Sequence, residues 1–124
     1  WRNRTGGRGM VVGSGVIVLW IPESGSHKEK RAVLKRLIKK TQNEFNVSIA
    51  EVGDNDHWRR AKIGFAVVGN DRRFINAKID HILNFIDRLK PAEVVSSRFE
   101  ITVLSDETGF DGMETAKYDD FQEG

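Results

Sequence analysis

An α+β sandwich of the order β-α-β-β-α-β is predicted by three features of the sequence. Four apolar runs suit strands, two intervening stretches carry apolar residues at helical spacing, and turn or capping chemistry stands at the junctions. Met10 to Ile21 reads as a Val- and Ile-rich strand closed by Pro22, with Glu23-Ser24-Gly25 as a loop. Ser26 and Glu29 make a capping box: the serine oxygen accepts from one orphan backbone N–H while the glutamate reaches back to another. The helix this starts carries Val33, Leu34, Leu37, Ile38 and Thr41 on one face and runs out near Asn43 or Glu44. Phe45 to Val52 alternates as a short second strand with Phe45, Val47 and Ile49 on one side. Gly53-Asp54-Asn55-Asp56 then supplies a tight turn, and Trp58 to Val68 is the third strand.

Asn70 or Asp71 caps a second helix whose apolar stripe is Ile75, Ile79, Ile82, Ile86 and Leu89, with Lys90-Pro91 as its stop. Phe74, Leu83 and Phe85 widen that stripe enough to reach both the sheet and the first helix. Glu93 to Leu104 is the fourth strand, with Val95, Phe99, Ile101 and Val103 expected inward. The simplest packing of this order in one short chain is a ferredoxin-like βαββαβ sandwich. It has a four-stranded antiparallel sheet in the order 4-1-3-2, with both helices on one face.

The chain has 124 residues, 39% hydrophobic and 31% charged, which suits one domain with a core large enough to fold without staples. It has no cysteine, so disulfides, thiolate zinc sites, iron–sulfur clusters and a cysteine nucleophile are excluded. The longest apolar stretch, Val16 to Ile21, is far too short to span a bilayer. The net charge of +2 hides an uneven distribution. Residues 1–9 hold Arg2, Arg4 and Arg8 and no acid; residues 106–124 hold Asp106, Glu107, Asp111, Glu114, Asp119, Asp120 and Glu123 against Lys117 alone. The expected organisation is a flexible leader over 1–9, a moderately basic domain over 10–105 and an acidic disordered tail over 106–124. Met10 reads as the native start, with the leader extraneous to it; an RNA-binding Arg/Gly arm is the alternative.

Several separated motifs carry a family resemblance in the same order: Ser26-His27-Lys28-Glu29-Lys30-Arg31, then Phe45 through Gly53, Asp56-His57-Trp58-Arg59-Arg60-Ala61, and Gly64-Phe65-Ala66-Val67-Val68. From about Met10 to about Ile101 the chain resembles the YlxP-like family of small bacterial proteins. It departs at His27, where members usually have an apolar residue. The resemblance implies a ferredoxin-like, cytoplasmic domain with no accepted enzyme activity. Genes of the family often lie beside those for translation initiation and ribosome maturation factors, which implies RNA or ribosome association.

Successive helical residues are 100° apart, which puts Lys28, Arg31, Lys35, Arg36, Lys39 and Lys40 on an arc opposite Val33, Leu37 and Thr41. Such a stripe can track phosphates and makes these six the RNA-binding candidates, against the plainer reading of a solvated helix face. Lys30 projects instead among the apolar positions and needs an acid there; the topology offers Glu51, Asp54 or Asp56. A structural ion pair at the domain rim competes with a functional lysine. Ser26, His27, Lys28 and Lys30 at the helix start are the anion-binding candidates. Asp54, Asp56 and His57 match no metal motif, so no metal is assigned, and His81 reads as solvated.

Gly64 to Val68 resembles the base-stacking strand of RNA-recognition domains. Val67 replaces the second aromatic and Ile63 the preceding cation, so Phe65 reads as core. On the helix-free sheet face, alternation gathers Val16, Val18, Trp20, Ala50, Val52, Ala66 and Val68 beside Arg60, Lys62, Arg98 and Glu100. A mixed, substantially apolar surface of this kind calls for a partner, and Val16, Val18, Trp20, Val52, Arg60, Lys62, Val68 and Arg98 are the interface candidates. The reading reached is a non-enzymatic, cytoplasmic binding domain associated with RNA or the ribosome, without cofactor, membrane contact or assigned catalytic residue. The alternatives are a homodimeric structural or regulatory module joined through the open sheet face, and a small enzyme acting on an anion at the first-helix N-terminus.

Overall fold

The computed structural model describes residues 9–105; the expectations for residues 1–8 and for the acidic tail lie outside the described residues. The elements are β1 (Met10–Trp20), α1 (His27–Glu44), β2 (Ser48–Gly53), β3 (Arg60–Gly69), α2 (Arg72–Asp87) and β4 (Glu93–Leu104). They form one antiparallel sheet in the order β2-β3-β1-β4, which is the predicted 4-1-3-2 read from the other edge. The fold is ferredoxin-like. No helix of the described residues is long and apolar enough to cross a membrane.

The core lies between the helices and one face of the sheet. Val11, Ile17 and Leu19 of β1 and Ala61, Ile63, Phe65 and Val67 of β3 are buried against Leu34 and Leu37 of α1 and Ile75, Ile79, Ile82 and Ile86 of α2. Phe65 is therefore core, as its alternation with Ile63 and Val67 requires. Gly13 lets α2 sit close to the sheet. A Cβ there would stand 2.7 Å from both Ile75 Cγ2 and Ile79 Cδ1, closer than real contacts allow.

Four local expectations are corrected. β2 starts at Ser48, where pairing with Ala66 of β3 begins; Phe45 instead caps α1, its N–H donating to the Thr41 carbonyl at 2.9 Å, and its ring meets Phe85 edge-on at 5.5 Å. Trp58 precedes β3, which begins at Arg60 opposite Trp20, because a turn closed by the His57 N–H on the Asp54 carbonyl occupies the preceding residues. On β4, Val18 faces Ser96 but Leu19 faces Val94, so Val95 is the extra residue of a bulge. Val94 takes the inward place and Val95 is 63% exposed. Phe99 keeps the predicted file, opposite Gly15, yet is 41% exposed. Finally, Ile75 takes the inward position of the first turn of α2, which leaves Phe74 exposed; Leu83 and Phe85 do pack against the core.

Candidate nucleic-acid interface

α1 begins at its predicted cap, Ser26, with Glu29 reaching one residue further back than the N-cap N–H of a capping box. Ser26 Oγ accepts from the Glu29 N–H at 3.1 Å, and the Glu29 carboxylate reaches back to the Gly25 N–H at 2.6 Å. One turn in, Lys30 is 3% exposed. Its Nζ donates to the carbonyls of Asp54 and His57, each at 2.6 Å, and pairs with Glu51 Oε2 at 3.2 Å. An ammonium has three protons, and three protein oxygens stand around this one. Lys30 thus ties the start of α1 to the end of β2 and to the β2–β3 loop, with Glu51 the one predicted acid whose carboxylate it meets.

Of the four residues foreseen for an anion at the helix start, Ser26 and Lys30 have partners within the protein. Lys30 donates to two backbone carbonyls and pairs with Glu51, Ser26 is engaged as the cap, and the Glu29 carboxylate accepts the Gly25 N–H. His27 and Lys28 remain exposed, with the His27 ring edge-on to Trp58 at 6.2 Å. The neighbouring loop is committed as well. Asp54 adopts φ 59° and its carboxylate pairs with Arg60 Nε at 3.1 Å; His57 Nδ1 accepts the Arg59 N–H at 3.2 Å; Arg59 Nε donates to the Ser24 carbonyl at 2.9 Å. Among the described residues, no three His, Asp or Glu side chains come together in a way that would hold a metal ion.

The outer arc of α1 behaves differently. Lys28, Arg31, Lys35, Arg36, Lys39 and Lys40 are all exposed, and the only ion pairs among the described residues are Lys30–Glu51 and Arg60–Asp54. At 100° per residue the six span about half the helix circumference, opposite the buried Leu34, Leu37 and Thr41. Arg31, Lys35 and Lys39 also border a groove of about 440 Å³ between α1 and β2, floored by Leu34 and Ile38 with Gln42 and Glu51 alongside. On the opposite flank Arg36 and Lys40 line a small pocket together with Lys90, which follows α2. Lys90 was missed as a member of this cluster because only the packing of the helices brings it there.

All eight predicted open-face residues do share the helix-free face. The register sets Trp20 against Arg60, Val18 against Lys62, Val16 between Gly64 and Arg98, and Val12 against Val68. Val52 lies over Gly64, where a Cβ would meet it at 2.9 Å. Val52 and Val68 are each 56% exposed, while Val16, Val18 and Trp20 are half-buried between their neighbours.

The model for the family described as a protein of unknown function (DUF503) matches residues 12–99. The chain is 44% identical over 80 residues to the uncharacterized protein YlxP of Bacillus subtilis (strain 168), covering 64% of this chain and 87% of that one. Among solved structures it is similar to the de novo designed protein Foldit4, with TM-score 0.43 and 17% identity, covering 78% of this chain and 99% of that one. A dimeric ferredoxin-like protein from an uncultured marine organism matches with TM-score 0.39 and 9% identity, over 79% of this chain and 99% of that one. The matched stretch takes in every helix and strand except the outer ends of β1 and β4, and the chain belongs to the YlxP-like DUF503 family.

Proposed function

We propose that this domain is a non-enzymatic, cytoplasmic RNA-binding module that works at an RNA or ribosome surface through the outer arc of α1. The observation that carries the reading is the state of the six arc cations: all exposed, none in an ion pair among the described residues, and set on one helix. Uncompensated cations at that spacing attract a polyanion and release its counterions on contact. Lys90 extends the surface beside Arg36 and Lys40. The open sheet face, with Trp20 beside Arg60 and Val18 beside Lys62, is a second contact surface of mixed character. Fluorescence anisotropy with single-stranded and duplex RNA over a salt series tests the proposal. Lys35, Lys39 and Lys40 changed together to Ala should lower affinity and make the log–log salt slope shallower by roughly two to three. An unchanged slope removes α1 from the mechanism.

The exposure of Val52 and Val68 favours a second reading, in which a homodimer closes over the open sheet face. Val18→Lys would place an unpaired charge at the middle of such an interface, so this dimer should fall apart in sedimentation while the variant stays folded.

A further inference from the structure

β4 is an edge strand of 12 residues, and among the described residues nothing pairs with its outer side. It contains neither proline nor lysine, the residues that commonly keep an edge from pairing. It also carries three of the large apolar side chains that stay exposed: Val95, Phe99 and Leu104.

We propose that β4 is a self-pairing edge: two copies of this chain join β4 to β4 antiparallel, centred on Phe99, and form one continuous eight-stranded sheet. The sequence of the strand selects both the partner and the register. In a symmetric antiparallel pair, residues facing each other have numbers with a constant sum. That sum must be even, because facing residues point to the same side of the sheet. Centring on Phe99 sets Arg98 against Glu100 of the second copy and Glu100 against its Arg98, giving two cross-strand ion pairs on the open face. Ser97 then faces Ile101, Ser96 faces Thr102, and the two Phe99 rings meet across the symmetry axis on the helix side. Centring on Arg98 would put two guanidinium groups face to face, and centring on Glu100 would put two carboxylates face to face. Both neighbouring registers are therefore disfavoured by like-charge contact. The bulge at Val95 ends the regular pairing at Ser96, so the joined segment runs from Ser96 to Thr102.

A two-fold axis perpendicular to the sheet keeps all four helices on one side. β2, against which α1 packs, lies at the far edge of each copy, so the two basic arcs stand apart on the same side of the dimer. The edge contact covers neither arc, engages the open face only at Arg98 and Glu100 of β4, and does not depend on the RNA reading.

Sedimentation equilibrium of the full chain tests this directly. The wild type should form dimers. Arg98→Glu alone, or Glu100→Arg alone, converts both ion pairs into repulsions and should raise the dimer dissociation constant roughly tenfold or more. The double variant R98E/E100R re-creates the two pairs with their signs exchanged, and dimerisation should return. A monomeric wild type at high concentration overturns the proposal, as do single reversals without effect or a double variant that stays monomeric. Dissociation by Val18→Lys but not by Arg98→Glu would move the contact to the open face and equally overturn it. Amide hydrogen exchange on the wild type needs no variant: alternate N–H groups over Ser96–Thr102 should exchange more slowly as concentration rises. Rates independent of concentration count against the edge.

Discussion

At the inner start of α1 one ammonium, Lys30, is held by three protein oxygens, whereas along the outer half of the same helix six cations have no ion-pair partner among the described residues. The two sets belong to one element and are built from the same residue types. What separates them is projection: Lys30 shares the angular sector of Leu34, Leu37 and Thr41, and the other six avoid it. A cation in the inner sector loses its water and must recover the loss from protein oxygens, so its charge serves the fold. A cation on the outer arc keeps its water, adds little to stability, and is free to exchange that water for a ligand's phosphates.

The strongest way to break this contrast is Lys30→Met. The variant keeps the aliphatic bulk but leaves Glu51 and the Asp54 and His57 carbonyls without their donor, and it should lose about 3–5 kcal/mol of stability in urea unfolding. Adding Glu51→Leu should recover part of that loss, because the stranded carboxylate is then gone. If Lys30→Met proves nearly neutral, the inner lysine belongs with the outer six and the distinction fails.

Ser26→Ala tests the same end of the helix through its cap. The lost bond to the Glu29 N–H should cost about 1 kcal/mol in the same assay. The bond from Gly25 to Glu29 remains and keeps the loss below that of the lysine variant. On the outer arc the Lys35, Lys39 and Lys40 triple alanine variant should change stability by less than about 0.5 kcal/mol, while RNA affinity falls as stated above. A large loss of stability from that triple change would show that the arc is structural after all.

Much of this was legible in the sequence. Element order, the Ser26 cap, a cap at Asn70 or Asp71 (the structure uses Asp71), the buried stripes and the need of Lys30 for an acid all follow from local periodicity and capping chemistry, which short-range physics decides. The misses share a different origin. Val95 rather than Val94 was read inward because a bulge depends on how β1 and β4 pair across space. Phe45 and Trp58 have the character of strand residues, yet strands form only where a neighbour is available to pair. The two shortest bonds of Lys30 go to backbone carbonyls, and a carbonyl leaves no trace in side-chain identity. Glu51 was foreseeable as its partner; the Asp54 and His57 carbonyls were not.

That last point sets the smallest expected effect and the finest test of the inner site. Lys30 uses the carbonyl of Asp54, not its carboxylate, and Asp54 holds φ 59°, a left-handed conformation that costs an L residue roughly 1 kcal/mol. Asp54→Gly keeps the carbonyl, relieves that backbone cost and gives up the pair with Arg60, a half-exposed contact of about 0–1 kcal/mol. Glycine also brings extra chain entropy to the unfolded state, which works against the relief. These terms nearly cancel, so Asp54→Gly should unfold within about 0.5 kcal/mol of wild type while Lys30→Met falls far below it. If the glycine variant instead loses as much as the methionine variant, the Asp54 carboxylate holds the loop, and the backbone carbonyls are not what Lys30 secures.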